Sequence, residues 1–409
     1  MRPFPVFFLA TLWCFPEACG QTRLSVQQAV NKALESHPAL QSAGEKIGVY
    51  DALARQAAVK PNPRATLQVE NLRAHGDPGF VYGRDADTYA FLSRTLTISG
   101  KRERRMEVAS GDRERARLER ELLARQIAER VQLAYWNAAA AQRVRELLRD
   151  SLRTFAQIVD YHRHRVKEGA MAEADLIRVQ LESDRLELTA NTAALEAERA
   201  RIHLLREMGE PEFPALILTD ALESGIPEQV PADPAAALEQ RIEMQLARWA
   251  VEQAKAGQRL QQSLGRPDPE AILGYKRAAG FNTLVAGIQW SLPIADRNQG
   301  NIAAAGAEVR VAESHLRATA AMIRAEVDAA RTEYEIRRRQ VKESLKPLME
   351  RASESAQIAV AAYREGGADL LRLLDAERTL IDVQTIYVKT LAEYRQAIVT
   401  LQYAMGVLP

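Results

Sequence analysis

His162 and His164 are the residue types best suited to gripping a metal ion, and they lie two positions apart. On a helix, residues with that spacing point to different sides, and no third ligand stands nearby in the chain. The pattern predicts solvated histidines and no metal site. Cys14 and Cys19, the only cysteines, fall inside a stretch with the marks of an export signal. Arg2 supplies a positive charge, Val6 to Phe15 is a short apolar run, and Ala18 and Gly20 permit cleavage before Gln21. The mature chain would then hold no thiol, disulfide or cysteine ligand. An alternative makes Cys19 a lipidated first residue, although Pro16-Glu17 is a poor lead-in for that signal.

Other chemistry-bearing patterns point to surfaces. Lys101-Arg102-Glu103-Arg104-Arg105 is basic, but acids are interspersed and aromatics are scarce, so a solvated helix start fits better than a phosphate-binding patch. Net charge is +1 with 27% charged residues, which favours neither nucleic acid nor an acidic substrate. Glu333 and Glu335 fall on a solvent face. No Gly-x-Ser-x-Gly, phosphate-cradling Gly loop or His-Glu-x-x-His occurs, so no catalytic site and no cofactor is expected.

The elements that carry these residues repeat. Gly169 and Gly366 are 197 positions apart, as are Gly209 and Gly406, and Leu176-Ile177 matches Leu373-Leu374 at the same spacing. Leu96 and Ile98 match Leu292 and Ile294 at 196, and Pro61-Asn62-Pro63 matches Pro267-Asp268-Pro269 at 206. An ordered series of this kind marks a duplicated unit. Residues 1–20 are then the signal, 21–209 the first repeat, 210–234 a linker, and 235–409 the second repeat.

Each repeat has one order of elements. An amphipathic helix, about 24–59 and about 235–263, ends at a Pro-x-Pro breaker. A hairpin follows, about 64–98 and about 270–294, in which residues alternate with a period of two. Ala65, Leu67 and Val69 face one way against Thr66, Gln68 and Glu70, and Leu284, Ala286, Ile288 and Trp290 face one way in the second repeat. Loops at Gly76 to Asp87 and Arg277 to Asn282 close the hairpins. Long helices come next, about 101–168 and about 298–365, then return helices, about 173–208 and about 370–405. Residues 112–168 contain no Gly or Pro, a run of 57 that extends roughly 85 Å. The second long helix holds Pro347, where a kink is expected. Apolar residues recur every seven positions, as in Ile127, Ala134, Ala141, Leu148 and Phe155, or Val327, Tyr334, Val341 and Leu348. That period means coiled-coil packing.

Four strands cannot close a barrel, and an isolated hairpin is barely stable. Strands with one apolar and one polar face suit a membrane barrel, and Tyr82, Tyr89, Phe91, Tyr275, Phe281 and Trp290 lie where an aromatic girdle would form. Association of chains would close the sheet: eight strands fill with side chains, whereas twelve leave a lumen. A soluble sandwich of hairpins on a helical stalk is the bland reading of these strands, and a non-pore periplasmic coiled-coil scaffold is the alternative of another class.

This order of elements, given twice over about 24–406, resembles the TolC outer-membrane efflux family. The most specific stretch is Tyr363-Arg364-Glu365-Gly366-Gly367-Ala368-Asp369-Leu370-Leu371-Arg372-Leu373-Leu374-Asp375-Ala376-Glu377-Arg378. Thr95-Leu96-Thr97-Ile98-Ser99-Gly100-Lys101-Arg102 is similar to the heavy-metal (CzcC-like) branch.

The resemblance implies a mainly α fold with a small β part, forming a homotrimer. A twelve-stranded barrel in the Gram-negative outer membrane, in contact with its lipid, would continue into a twelve-helix periplasmic α-barrel. It implies a periplasmic adaptor at the tip and, through it, an inner-membrane resistance-nodulation-division pump. The cargo would be heavy-metal cations, with drugs or secreted proteins as alternatives. Tyr363 matches the family's gating aromatic and Asp375 an acidic constriction, while Asp175 holds the corresponding acid of the first repeat. Where the family often has another acid, six residues after Gly366, this chain has Arg372, which could pair with Asp375 around the axis. Gly169, Gly366 and Gly367 are helix–helix turns that leave grooves for the adaptor. Asp375 and Asp175 could equally be early-helix charges favoured by the dipole.

Overall fold

A computed structural model describes residues 22–72, 77, 79–227 and 229–408. The export signal, Cys14, Cys19 and Gly76 lie outside the described residues. The chain starts with β1 (Thr22–Leu24), α1 (Val26–Ser36) and α2 (Pro38–Ala57), then β2 (Arg64–Glu70), a short α3 (Tyr82–Asp85) and β3 (Asp87–Thr95). The long α4 (Lys101–Lys167) and α5 (Glu173–Glu207) complete the first repeat. After β4 (Leu216–Leu218) come α6 (Pro234–Gln240), α7 (Ile242–Leu264), β5 (Glu270–Ala278) and β6 (Phe281–Gln289). The second repeat ends with α8 (Gln299–Arg339), a π turn (Gln340–Leu345), α9 (Lys346–Arg364) and α10 (Leu370–Ala404). The 67 residues of α4 extend about 100 Å. Among the described residues no helix is long and apolar enough to cross a membrane.

Three expected elements are interrupted. The first helix is split because Pro38 starts α2 and His37 caps it, its Nδ1 accepting the Ala39 N–H at 3.1 Å. Ser25 and Gln28 form a reciprocal cap on α1, 3.2 Å and 2.9 Å long. The helix expected at 235–263 breaks at Arg241, whose backbone is extended (φ −71°, ψ 128°) although no Gly or Pro marks the place. The kink expected at Pro347 is met by the π turn just before it. Proline removes one N–H and crowds the carbonyl four residues back, and the wider turn moves that carbonyl out of register. The extra residue also shifts the heptad seam. Tyr334 is followed inward by Leu345 and Ala352, while Val341 is half-buried and Leu348 is exposed.

Two compact units result, and each draws on both repeats. One comprises residues 22–33, Val131–Ile226 and Val341–Arg395. In it β1 and β4 pair in parallel, and the buried Tyr135 hydroxyl donates to Leu24 O at 3.0 Å. Arg395 lies 4.6 Å over the Trp136 ring and donates to Leu222 O at 2.9 Å and to Ser224 O, which ties the segment after β4 to α10. Strands of three residues are too short for any period-two signal, so the sequence showed only a linker here.

The other unit comprises Leu34–Arg130, Pro227–Gln340 and Gln396–Pro409. Arg241, 3% exposed, is its polar centre. Its guanidinium donates to both oxygens of Glu243 (2.8 and 2.7 Å), to Glu326 (2.9 Å) and to Ala404 O (3.3 Å), and lies 4.8 Å over the Tyr403 ring. Burial pushes the nearby Glu129 carboxyl from 4.5 up to about 7; Glu326 and Glu243 add to the rise and Arg241 opposes it. Folded Glu129 thus holds its proton more tightly than in the unfolded chain. Its contribution to stability falls as pH rises from 4.5 to about 7 and is level above. Glu129→Gln is expected to flatten that part of the stability–pH curve and to stabilise the protein by about 1–3 kcal/mol at alkaline pH. Melting curves of both proteins across this range provide the check, and parallel curves would remove the assignment.

The basic run at the start of α4 is only partly solvated. Lys101 pairs with Asp268 at 3.2 Å, and Arg102 donates to Ala58 O at 2.7 Å. Burial works to raise the Asp268 carboxyl, but Ser99 and Lys101 hold it below its ordinary value. The second Pro-x-Pro segment thus anchors the strand-to-helix corner of the first repeat.

Candidate functional site

The two hairpins form one antiparallel sheet in the order β2-β3-β5-β6. Directly paired residues share a face. One row runs Leu67, Ala90, Tyr275, Leu284, and the next runs Ala65, Leu92, Leu273, Ala286. Leu67, Leu284 and Leu273 are 75%, 84% and 62% exposed, so this apolar face is open to its surroundings. The opposite face carries Gln68, Tyr89, Lys276 and Thr283 in one row and Thr66, Phe91, Gly274 and Val285 in another. Tyr89, Phe91 and Phe281 therefore lie on the polar face, not in a lipid-facing girdle; Tyr275 has the apolar register, and Trp290 lies just beyond β6. Phe91 lies over Gly274, where an added Cβ would meet its Cδ1 at 2.3 Å. Lys276 Nζ sits 5.2 Å over the Tyr89 ring. The second hairpin turn is tighter than the expected loop. Ala279 and Gly280 alone close it, both with positive φ (51° and 83°), the geometry that suits the strand twist.

At the far ends of the long helices the two repeats make the same turn. Gly169 (φ 70°) donates to Val166 O and Ala170 to Arg165 O; Gly366 (φ 76°) donates to Tyr363 O and Gly367 to Ala362 O. These paired bonds satisfy the last carbonyls of α4 and α9, and only glycine takes the left-handed position without strain. Open space surrounds the Cα of Gly169 and of Gly366, so backbone conformation and not crowding selects glycine there.

Tyr363, three residues before that turn, is tied to α4. Its hydroxyl lies 2.8 Å from His162 Nε2, and the two rings stack at 5.8 Å. His162 is 0% exposed, which corrects the expectation of a solvated histidine. His164 remains exposed, its ring bonded to Asp160 O. Asp175, in the first turn of α5, acts on Tyr363 through its charge. Arg372 and Asp375 are both exposed on α10, and among the described residues no ion pair joins them. Asp369 caps α10 by accepting the Arg372 N–H at 3.0 Å. Asp375 lies beyond the first turn, where the helix dipole has faded, so a dipole role does not explain it. Among the described residues no group of three or more His, Cys, Asp or Glu is placed to hold a metal.

The family model described as outer membrane efflux protein matches residues 29–210 and 234–407. The chain belongs to the outer membrane efflux protein family. It is 25% identical over 402 residues to the cobalt-zinc-cadmium resistance protein CzcC of Cupriavidus metallidurans, covering 96% of this chain and 92% of that protein. Its fold matches a membrane protein of Pseudomonas aeruginosa (TM-score 0.79, 18% identity, 93% of this chain and 92% of that one). It also matches CusC, whose structures concern folding and transmembrane channel formation (TM-score 0.78, 17% identity, 93% and 92%). The protein is thus an outer-membrane efflux channel, of a family of ducts rather than of enzymes, and the likeness to TolC-type channels drawn from its repeats holds. In this member of the family His162 was the residue that sequence reasoning missed. A signal for it existed: it is seven residues after Phe155 and so continues the seam of Ile127, Ala134, Leu148 and Phe155, all buried.

Proposed function

We propose that the protein is the exit duct of a tripartite system that expels heavy-metal cations. It works as a homotrimer, docked at its tip to a periplasmic adaptor and through it to an inner-membrane resistance-nodulation-division pump. The observation that carries the duct reading is the four-stranded sheet, with its open edges β2 and β6, one apolar face and one polar face. Three copies supply twelve strands, enough for a barrel with a lumen. A second unpartnered surface supports association. Ile177, Leu181, Leu188, Leu195 and Ile202 make an exposed stripe at coiled-coil spacing along α5. The cargo reading rests on the similarity to the cobalt-zinc-cadmium resistance protein over nearly the whole chain.

In this reading Gly169, Gly366 and Gly367 form the docking turns, and the gate lies beside them. Tyr363 and Asp175 stand at its wall, and three Asp375 side chains face one axis with Arg372 close by. A ring of carboxylates attracts cations. Purified in mild detergent, the protein is expected to be a trimer that conducts ions in planar bilayers. Asp375→Ala should lose part of the cation preference, and Arg372→Ser should raise conductance by loosening the closed ring. Monomers only, or selectivity and conductance unchanged in both variants, would overturn the duct and the gate assignments respectively.

A further inference from the structure

The polar face of the sheet carries its charges in bands. Three successive rows of four paired positions hold two cations, Arg64 in the first and Lys276 in the third, and no carboxylate. In the row between them Phe91 lies across Gly274, with Thr66 and Val285 on the outer strands, so nothing there neutralises either charge. At two residues per row this belt is roughly 13 Å deep along the strands. Acids come only in the two bounding rows, and each has a partner of its own. Glu270, one row toward the helices, accepts from Ser93 Oγ at 2.5 Å. At the hairpin end Glu70 accepts from Gln68 at 2.7 Å. Asp87 accepts there from Asn71 Nδ2 at 2.7 Å and from the Ala279 N–H at 2.9 Å. The Lys276 ammonium rests instead on the Tyr89 ring, 5.2 Å from its centroid, a contact that positions a cation without a counter-charge. Arg64 is exposed, and among the described residues no ion pair reaches it or Lys276.

We propose that this belt is an anion-gathering station, in which Arg64 and Lys276 collect small inorganic anions such as chloride and oppose free cations. The proposal rests on the duct reading above, in which the polar face lines the lumen. Three copies then set two rings of three uncompensated cations around that lumen. Rings of basic side chains in a pore favour anions, and lumen-facing residues of a barrel tune its selectivity. The sign is opposite to that of the Asp375 ring proposed for the gate, so cation preference at the gate is countered in the barrel. A metal cation expelled by the pump meets its counter-ions in the belt, and its charge is balanced there before it leaves.

The test is the ratio of potassium to chloride permeability, read from reversal potentials in planar bilayers under a potassium chloride gradient. The proteins are the detergent-purified wild type, Lys276→Gln, Arg64→Gln, the double variant and Arg94→Gln. Glutamine keeps a polar side chain and removes the charge. Potentials of order kT in a charged cleft change ion concentrations severalfold. At about 0.01 M salt, where the Debye length is about 30 Å, the double variant should therefore raise the ratio at least about threefold. The difference should shrink at about 1 M, where that length is about 3 Å. Each single variant should give part of the change, so Lys276→Gln still decides the matter if Arg64→Gln fails to assemble. Arg94 is opposite Ala271 on the apolar face, and Arg94→Gln should leave the ratio as it is. A shift in Arg94→Gln with none in the double variant would put the other face in the lumen and overturn the belt. An unchanged ratio in a conducting double variant overturns it as well, and leaves the duct reading standing. If no protein conducts ions, wild type included, the duct reading itself falls, and the belt with it.

Discussion

Arg241→Ala is expected to cost about 3–5 kcal/mol, the scale for removing one partner of a buried ion pair. Arg241 is buried and holds Glu243 in a two-point grip (2.8 and 2.7 Å). Burial alone would raise the Glu243 carboxyl, but Arg241 bonding holds it below its ordinary value. Without the guanidinium, Glu243 would be a desolvated anion close to Glu129 and Glu326, and Ala404 O would lose its donor. Glu326, 42% exposed, adds little of this because water screens its pairing. Denaturation of the detergent-solubilised protein is the measurement. Arg241→Met combined with Glu243→Gln should recover much of the loss, since it removes the stranded charge as well. A single variant within about 1 kcal/mol of wild type would show that the network is no more than a surface-strength contact.

Gly366→Trp is expected to abolish metal resistance in cells while the trimer still assembles in the outer membrane. The positive φ of 76° strains a bulky L side chain such as Trp at this position, by about 1–2 kcal/mol. That is a local cost at an exposed turn, small against the stability of a sheet and two packed units. Open space around Gly366 lets the indole project outward, where it would obstruct an adaptor. Gly366→Asn separates the causes. Asparagine tolerates the left-handed conformation and stays small, so this variant should export normally. Wild-type resistance in Gly366→Trp, together with undiminished adaptor cross-linking at the turn, would remove the docking assignment.

Much of the fold could be read from spacing because the duplication prints each signal twice. The glycines at 169 and 366 mark the same paired bonds beyond a long helix, and so do those at 209 and 406. Period two in Leu284, Ala286 and Ile288 placed them on one face, and the observed register puts Leu67, Leu92 and Leu273 beside them. Other features left no local mark. The break at Arg241 has neither Pro nor Gly, and the guanidinium at that break bonds Ala404 O and Glu326, far along the chain. The seam after Tyr334 moved because a π turn inserts a residue that no heptad count anticipates.

By itself the sequence determined the long helices, the hairpins, their order, the faces of β2 and β6 and the family, because these depend on periodicity and on turn chemistry that neighbouring residues carry. Tertiary structure alone decided which side chains meet. His162 and Tyr363 are 201 positions apart, and a residue that looks polar in the sequence became the buried partner of a phenol. Gly274 became the floor under Phe91, in the row that the register assigns to the polar face. In each case the partner is supplied by the other repeat, and the energy of a contact depends on both partners, whereas a local pattern describes only one.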